Sequence, residues 1–142
     1  ASPSGVALLA QALLLAATLR GDYGLRDRAQ NILGPHVSQA LMTPLGAGGV
    51  WEALSTLARE EREIIVVSDQ PTELTAVAGG YRAPGTVIVS VTGDQAQQLV
   101  EVGVEILRGR TDGSTPTAYV CHRGVCQLPV RNVEALRAQL QQ

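Results

Sequence analysis

The chain has 142 residues, of which 45% are hydrophobic and 17% are charged, a composition typical of a globular protein and not of a disordered one. Its formal net charge of −2 and its few aromatic residues, with no Phe, one Trp and three Tyr, argue against a nucleic-acid partner. Its two cysteines are too few for a disulfide framework.

Three helices are predicted in the first third of the chain. The first runs from Val6 to Arg20, the second from Tyr23 to Leu33 and the third from His36 to Met42. The apolar run Val6 to Leu19 has 14 residues, fewer than the roughly 18–20 that a membrane-spanning helix needs. It also lacks the basic flank of a secretory signal. We therefore expect a buried core helix, no membrane partner and a cytoplasmic protein.

A glycine-rich segment, Thr43 to Gly49, predicts a linker after these helical hairpins. We place the domain boundary there, so that residues 1–45 form helical hairpins and residues 46–142 form a small α/β domain. A fourth helix is predicted from Val50 to Glu61, within the second domain. The charged run Glu60 to Glu63 is interpreted as the solvated end of that helix.

After this run the hydrophobic pattern changes from helical to strand-like. Two β-branched runs predict strands buried on both faces, and a hairpin follows them. The predicted strands are Ile64–Val67, Thr86–Val91, Thr117–Cys121 and Val125–Val130, and the helices are Pro71–Ala78, Asp94–Val102 with Asp94 as N-cap, and Val133–Gln141 with Asn132 as N-cap. The order β-α-β-α-β-β-α predicts an α/β fold. Its mixed four-stranded sheet has helices on both faces, the first two strands parallel and the last strand at an antiparallel edge.

The two cysteines flank the turn of the predicted hairpin. If Arg123-Gly124 is a two-residue turn, Cys121 and Cys126 lie opposite each other with Cα atoms roughly 4.5–5.5 Å apart. That distance permits a reversible disulfide. The alternative is that both are small buried hydrophobic residues at a sheet edge. Neither an activating base nor a helix N-terminus is evident beside the thiols, and with His122 they match no usual zinc pattern, so no metal is expected.

Four polar residues lie where predicted strands end. Ser68 and Asp69 follow the first strand, and Thr92 and Asp94 follow the second. Ligands of open α/β sheets bind at this edge, so a nucleotide-binding half-Rossmann unit is one possible interpretation. The alternative is that each residue caps a helix or stabilises a turn. Because the glycine fingerprint of dinucleotide folds is absent, we expect no cofactor, and no set of catalytic residues emerges.

The hairpin segment also resembles a known family. Thr117-Ala-Tyr-Val-Cys-x4-Cys-Gln-x-Pro-Val130, with the Glu-, Leu- and Arg-rich helix after it, is similar to the carboxyl end of the YyaL-type family. These are the large thioredoxin-domain-containing proteins that include the spermatogenesis-associated thioredoxin-like protein of animals. Pro3-Ser4-Gly5 and Leu19-Arg-Gly-Asp22 resemble a helical hairpin late in that family's barrel. Two positions differ from the family pattern, since Val6 replaces an Asn and Val125 replaces an aromatic residue.

The resemblance implies a larger protein of three units in series. These are a thioredoxin-like domain with a Cys-x-x-Cys, a six-hairpin barrel like those of sugar epimerases and glycosidases, and an α/β tail. The chain would hold the last barrel hairpins and the tail, and neither the redox motif nor the barrel's acid/base residues have counterparts in it. Four leucines of the first helix are expected to face neighbouring barrel helices: Leu8, Leu9, Leu13 and Leu14.

Besides the nucleotide-binding unit described above, two functions remain open at this stage. The first is a non-catalytic carboxyl-terminal domain of a thioredoxin-domain and sugar-barrel protein, with a role in carbohydrate or redox metabolism. Its partners would be the upstream domains of the same protein or a second copy, contacted through the first helix. The second is a small thiol-redox module that uses a reversible Cys121–Cys126 disulfide.

Overall fold

In the computed structural model, residues 4–141 are described, so that Pro3 of the motif noted above lies outside the described residues. The chain divides into two compact units, and the boundary lies between Glu60 and Glu61. Within residues 4–141, no helix combines the length and the apolar content needed to cross a bilayer.

The first unit is helical. Its helices are α1 (Gly5–Arg20), α2 (Tyr23–Leu33), α3 (Val37–Met42) and α4 (Gly48–Ala58). Gly21 ends α1 in the left-handed conformation, with φ 63°, and the Asp22 side chain then caps α2 by accepting a hydrogen bond from the backbone N–H of Gly24. This short connection sets α1 and α2 side by side.

Alanines fill much of the core of this unit. Ala10, Ala29 and Ala53, from α1, α2 and α4, are fully buried, and small side chains let the helices approach closely. Because α4 belongs to this core, the observed boundary follows α4, and the predicted boundary at residues 45 and 46 is corrected. Leu14 is also buried in this core, whereas Leu8 is half exposed.

The second unit is an α/β fold. Its elements are β1 (Arg62–Val67), α5 (Glu73–Gly80), β2 (Thr86–Val91), α6 (Gly93–Glu101), β3 (Thr117–His122), β4 (Val125–Cys126) and α7 (Val133–Leu140). The strand order is β2-β1-β3-β4; β1 pairs parallel with β2 and antiparallel with β3, and β4 lies at the antiparallel edge. The predicted fold class is confirmed.

Both faces of the sheet are covered. One face packs on α5 and α7 and the other on α6, because successive side chains of a strand point to opposite faces. The buried residues of the first face are Ile64, Val66, Leu74, Ala78, Ala118, Val120 and Leu136, and those of the second are Ile65, Val67, Ala96, Leu107 and Cys121.

Local side-chain and backbone hydrogen bonds determine where the helices and strands begin and end. Two of the predicted ends are corrected. Asn132 caps α7 as predicted, but Thr92 caps α6 and forms a capping box with Gln95, so that Asp94 falls in the first turn. β4 is also shorter than predicted, because Pro129 lacks the N–H that a continuous ladder requires. Beyond Cys126 the pairing continues through a hydrogen bond from the Gln127 N–H to the carbonyl of Val120 and an isolated bridge between Ala118 and Val130.

Candidate functional site

The hairpin of β3 and β4 brings the two cysteines together. Arg123 and Gly124 form its turn with φ of 51° and 79°, the pair of positive values that a tight two-residue hairpin turn requires. Cys121 and Cys126 are paired in the ladder and joined by a disulfide. Their Cα atoms are 3.9 Å apart, closer than the roughly 4.5–5.5 Å predicted for directly opposite residues.

The two sulfur-bearing residues differ in exposure. Cys121 has a relative exposure of 1% and packs in the apolar cluster of Ile65 and Leu107. Cys126 is only half-buried, at the edge strand. Cys126 is therefore the more exposed residue of the pair, although it also packs against the cluster that contains Cys121.

A guanidinium lies against the accessible sulfur. Nη2 of Arg110 is 2.8 Å from Sγ of Cys126, and Nη1 donates to the backbone carbonyl of Ile106. The guanidinium carbon is also 5.3 Å from the centroid of the Tyr119 ring, within cation–π range. The sequence predicted neither an activating base nor a helix N-terminus at the thiols, and Arg110 is neither of these but a cation. Arg110 lies in an irregular segment 16 positions before Cys126, and no local pattern in the sequence marks it.

A buried carboxyl group lies on the strand paired with Cys121. Glu63 has a relative exposure of 2% and is the β1 residue paired with Cys121. Its Oε2 accepts a hydrogen bond of 3.2 Å from the backbone N–H of Gly124 in the hairpin turn. The interpretation of Glu60–Glu63 as a solvated helix end was wrong, because β1 begins at Arg62 and both Glu61 and Glu63 are buried.

Burial changes the proton affinity of this carboxyl group. Desolvation raises the pKa of Glu63 above its ordinary value of 4.5, and the negative charge of Glu61 raises it further. The hydrogen bond from Gly124 and the positive charge of Arg110 lower it, but less than burial raises it. Alternation along β1 is the signal that identifies Glu63, since Glu63, Ile65 and Val67 share one face.

The four residues at the strand ends have structural roles. Ser68 Oγ donates to the backbone carbonyl of Gln70, and Thr92 caps α6. Asp94 is exposed in the first turn of α6. Asp69 Oδ1 accepts a hydrogen bond of 2.8 Å from the backbone N–H of Gly93 and so ties the end of β1 to the start of α6.

The loop before β3 encloses this edge of the sheet. A Cβ atom built on Gly113 would lie 2.1 Å from Asp69 Oδ1, and one on Gly93 would lie 2.6 Å from the carbonyl oxygen of Thr111. Only glycine fits at either position. The carboxylate of Asp69 is therefore held between two backbone segments of the protein, which gives no support to the nucleotide-binding interpretation.

Comparison with known proteins adds no assignment. Models of protein families, curated proteins and solved structures give no match to this chain. The similarity to the YyaL-type family stays a prediction. Among residues 4–141, no group of three or more His, Cys, Asp or Glu side chains is arranged to hold a metal ion.

The substitution Glu63→Gln is predicted to stabilise the protein at neutral pH. The pKa of Glu63 is higher in the folded protein than in the unfolded chain. The stability that this difference contributes is therefore complete when the pH is below the unfolded-state pKa, and it is lost as the pH rises through the folded-state pKa. The variant avoids that loss, and each unit of pKa difference is equivalent to about 1.4 kcal/mol. Urea unfolding across this pH range, with the disulfide kept oxidised, measures the effect.

Glu105→Gln is the matched control. Glu105 is partly exposed, and its hydrogen bond with Arg108 lowers the Glu105 pKa, so that the stability this residue contributes is present at neutral pH and is lost on acidification. Its removal should give no stabilisation at neutral pH. Parallel stability–pH curves for the Glu63→Gln variant and the parent chain would contradict the account of Glu63.

Proposed function

We propose that the hairpin is a thiol–disulfide exchange site in which Cys121 and Cys126 alternate between a disulfide and two thiols. One observation carries the proposal: a guanidinium contacts the accessible sulfur while the other sulfur is buried. A positive charge beside a cysteine favours its thiolate, which is the reactive form in disulfide exchange. Arg110 would therefore favour the Cys126 thiolate as the product of reduction and as the nucleophile in reoxidation.

The exchange uses an external dithiol as the reductant. Its first thiolate attacks Sγ of Cys126, a new S–S bond forms, and the bond to Cys121 breaks with its electron pair left on Sγ of Cys121. The second thiolate then attacks the reductant sulfur of the mixed disulfide. This step closes the reductant's own disulfide and releases Cys126 as a thiolate beside Arg110. Two electrons pass to the hairpin, and both thiolates of the pair can then be protonated.

We also infer a cytoplasmic setting, because the thiol pools of that compartment would keep such a pair in exchange and not permanently oxidised. In that setting a disulfide is more often catalytic or sensory than structural.

A second proposal concerns the setting of the chain. We infer that it is a non-catalytic carboxyl-terminal segment of a larger thioredoxin-domain and sugar-barrel protein. Besides the sequence resemblance, the support is the surface of α1, where Leu8, Leu9 and Leu15 have relative exposures of 51%, 51% and 49%. Leu8 and Leu15 are seven positions apart and share one side of the helix, with the exposed Ala12 between them. We call the exposed side formed by Leu8, Ala12 and Leu15 the α1 stripe.

The occupant proposed for the α1 stripe is the upstream helical region of the same protein. When that region is absent, a second copy of the chain would cover the same leucines. The two proposals are independent, because the hairpin and the α1 stripe belong to different units.

The exchange proposal predicts unequal reactivity of the two cysteines. In Cys121→Ser the remaining Cys126 should react with iodoacetamide at least about tenfold faster than Cys121 does in Cys126→Ser, because Cys126 is accessible and lies beside a cation. Adding Arg110→Gln to Cys121→Ser should lower the rate roughly threefold for each unit by which the thiol pKa rises, because the smaller thiolate fraction is partly offset by the higher nucleophilicity of the thiolate. Mass spectrometry of timed samples gives the rates.

Arg110→Lys is the control for charge, and it should retain most of the reactivity of Cys126. Equal rates for the two single-cysteine variants, or a faster reaction of Cys121, would overturn the assignment of Cys126 as the accessible, activated sulfur.

The second proposal predicts self-association of the isolated chain through the α1 stripe. The double variant Leu8→Gln, Leu15→Gln should shift the chain from dimer to monomer and should lower the binding of a hydrophobic dye, with helix content unchanged. Val102→Gln, at an exposed position in the other unit, should change neither result. Sedimentation analysis measures the mass. A parent chain that is monomeric and binds no dye would refute the proposal.

A further inference from the structure

We propose that Glu63 transfers the proton that Cys121 gains and loses each time the disulfide opens and closes. The inference rests on the proposed exchange function and adds a second group to it. Arg110 acts on the accessible sulfur, whereas Glu63 acts on the buried one.

The register of the sheet places the two groups together. Glu63 and Cys121 are direct partners in the β1–β3 ladder, so that their side chains leave the same face of the sheet. Directly opposite residues have Cβ atoms roughly 4.5–5.5 Å apart. The hydrogen bond from the Gly124 N–H holds the carboxyl group of Glu63 at the hairpin turn. Sγ of Cys126 lies 3.8 Å from the carbonyl oxygen of Gly124, so that the carboxyl group and the disulfide share this turn.

Burial of Cys121 creates the need for such a group. When the disulfide opens, Cys121 becomes the leaving thiolate at a position with a relative exposure of 1%. Desolvation of an unpaired thiolate is unfavourable, and bulk water has little access to protonate it. A protonated carboxyl group on the paired strand supplies the proton directly.

The other charged or titratable groups around Glu63 are poor proton donors to Cys121. Arg110 stays protonated at all physiological pH values, and its guanidinium lies against Cys126. Glu61 precedes β1 by one residue, and its negative charge raises the Glu63 pKa. His122 follows Cys121 on β3 and therefore points to the opposite face. The Tyr119 ring lies against the Arg110 guanidinium, and Arg123 is in the exposed turn.

The β2 side of Glu63 is apolar, since its partner there is Val87. The carboxyl group is thus held between an apolar neighbour and the hairpin. This environment agrees with the raised pKa of Glu63, which brings its proton affinity closer to that of a thiol. Proton transfer is most effective when the two groups have similar pKa values.

The complete step is balanced. The reductant thiolate forms its bond to Sγ of Cys126, the bond between Cys126 and Cys121 breaks, and the electron pair goes to Cys121. The carboxyl proton of Glu63 moves to Sγ of Cys121, which leaves a neutral thiol and a carboxylate. The carboxylate then regains a proton from solvent. Reoxidation follows the reverse path, in which the Glu63 carboxylate accepts the proton of Cys121.

Reduction of the oxidised full-length chain by dithiothreitol tests this inference. The second-order rate constant is expressed per reductant thiolate, which removes the titration of the reductant itself. For the parent chain, this constant should be high at acidic pH and should fall as the pH rises through the pKa of Glu63. In Glu63→Gln it should be about 100-fold lower at the acidic plateau, a size typical of general acid catalysis, and independent of pH.

Two further variants separate proton transfer from structure and charge. Glu61→Gln removes the neighbouring charge that raises the Glu63 pKa, so that it should move the pH inflection to lower pH without reducing the plateau rate. Glu63→Asp retains the proton and should give an intermediate rate with the inflection preserved. These two variants keep the inference testable even where Glu63→Gln fails to fold.

The outcomes distinguish this inference from the function on which it rests. Equal rate constants and pH profiles for the parent and Glu63→Gln would overturn the role of Glu63 while the exchange function stands. An inflection that is unmoved in Glu61→Gln would also overturn it. A parent disulfide that cannot be reduced and reformed would instead refute the exchange function.

Discussion

Strand β1 is paired on both edges, parallel with β2 and antiparallel with β3, so that it lies inside the sheet. Its side chains must therefore alternate between two covered faces, and both faces are packed by helices. Ile64 and Val66 supply one face, and Ile65 and Val67 the other. The same alternation buries the carboxyl group of Glu63 beside the hairpin, where an isolated carboxylate is costly.

The hairpin next to this buried strand places its two cysteines in different environments. Cys121 points into the apolar cluster, where a thiolate has little solvation, whereas Cys126 is accessible and contacts a guanidinium. In the exchange that we propose, the reductant attacks the more exposed sulfur of Cys126, and proton transfer from Glu63 stabilises the buried sulfur of Cys121 as it leaves. At the opposite end of β1, Asp69 accepts a hydrogen bond from the backbone N–H of Gly93 and lies close to Gly113.

Much of the fold could be predicted because its signals are local. Neighbouring residues were enough to predict the bounds of α2 and β2 and the cap at Asn132, and these are confirmed. The prediction that Cys121 and Cys126 lie opposite each other in the hairpin ladder is also confirmed. The groups around the sulfurs could not be predicted in this way. Arg110 lies in an irregular segment. Glu63 lies in a strand that was predicted to begin at Ile64 but begins two residues earlier, at Arg62. Their proximity depends on tertiary packing, which short-range patterns do not encode.

The central claim is that Cys121 and Cys126 form a reversible redox pair, and a redox titration tests it most directly. The full-length chain is equilibrated with mixtures of reduced and oxidised glutathione, free thiols are alkylated, and the mass shift counts them. We expect the chain to pass reversibly between no alkylated cysteine and two, with the same midpoint from either direction. A pair that stays fully reduced or fully oxidised across all the mixtures would contradict it.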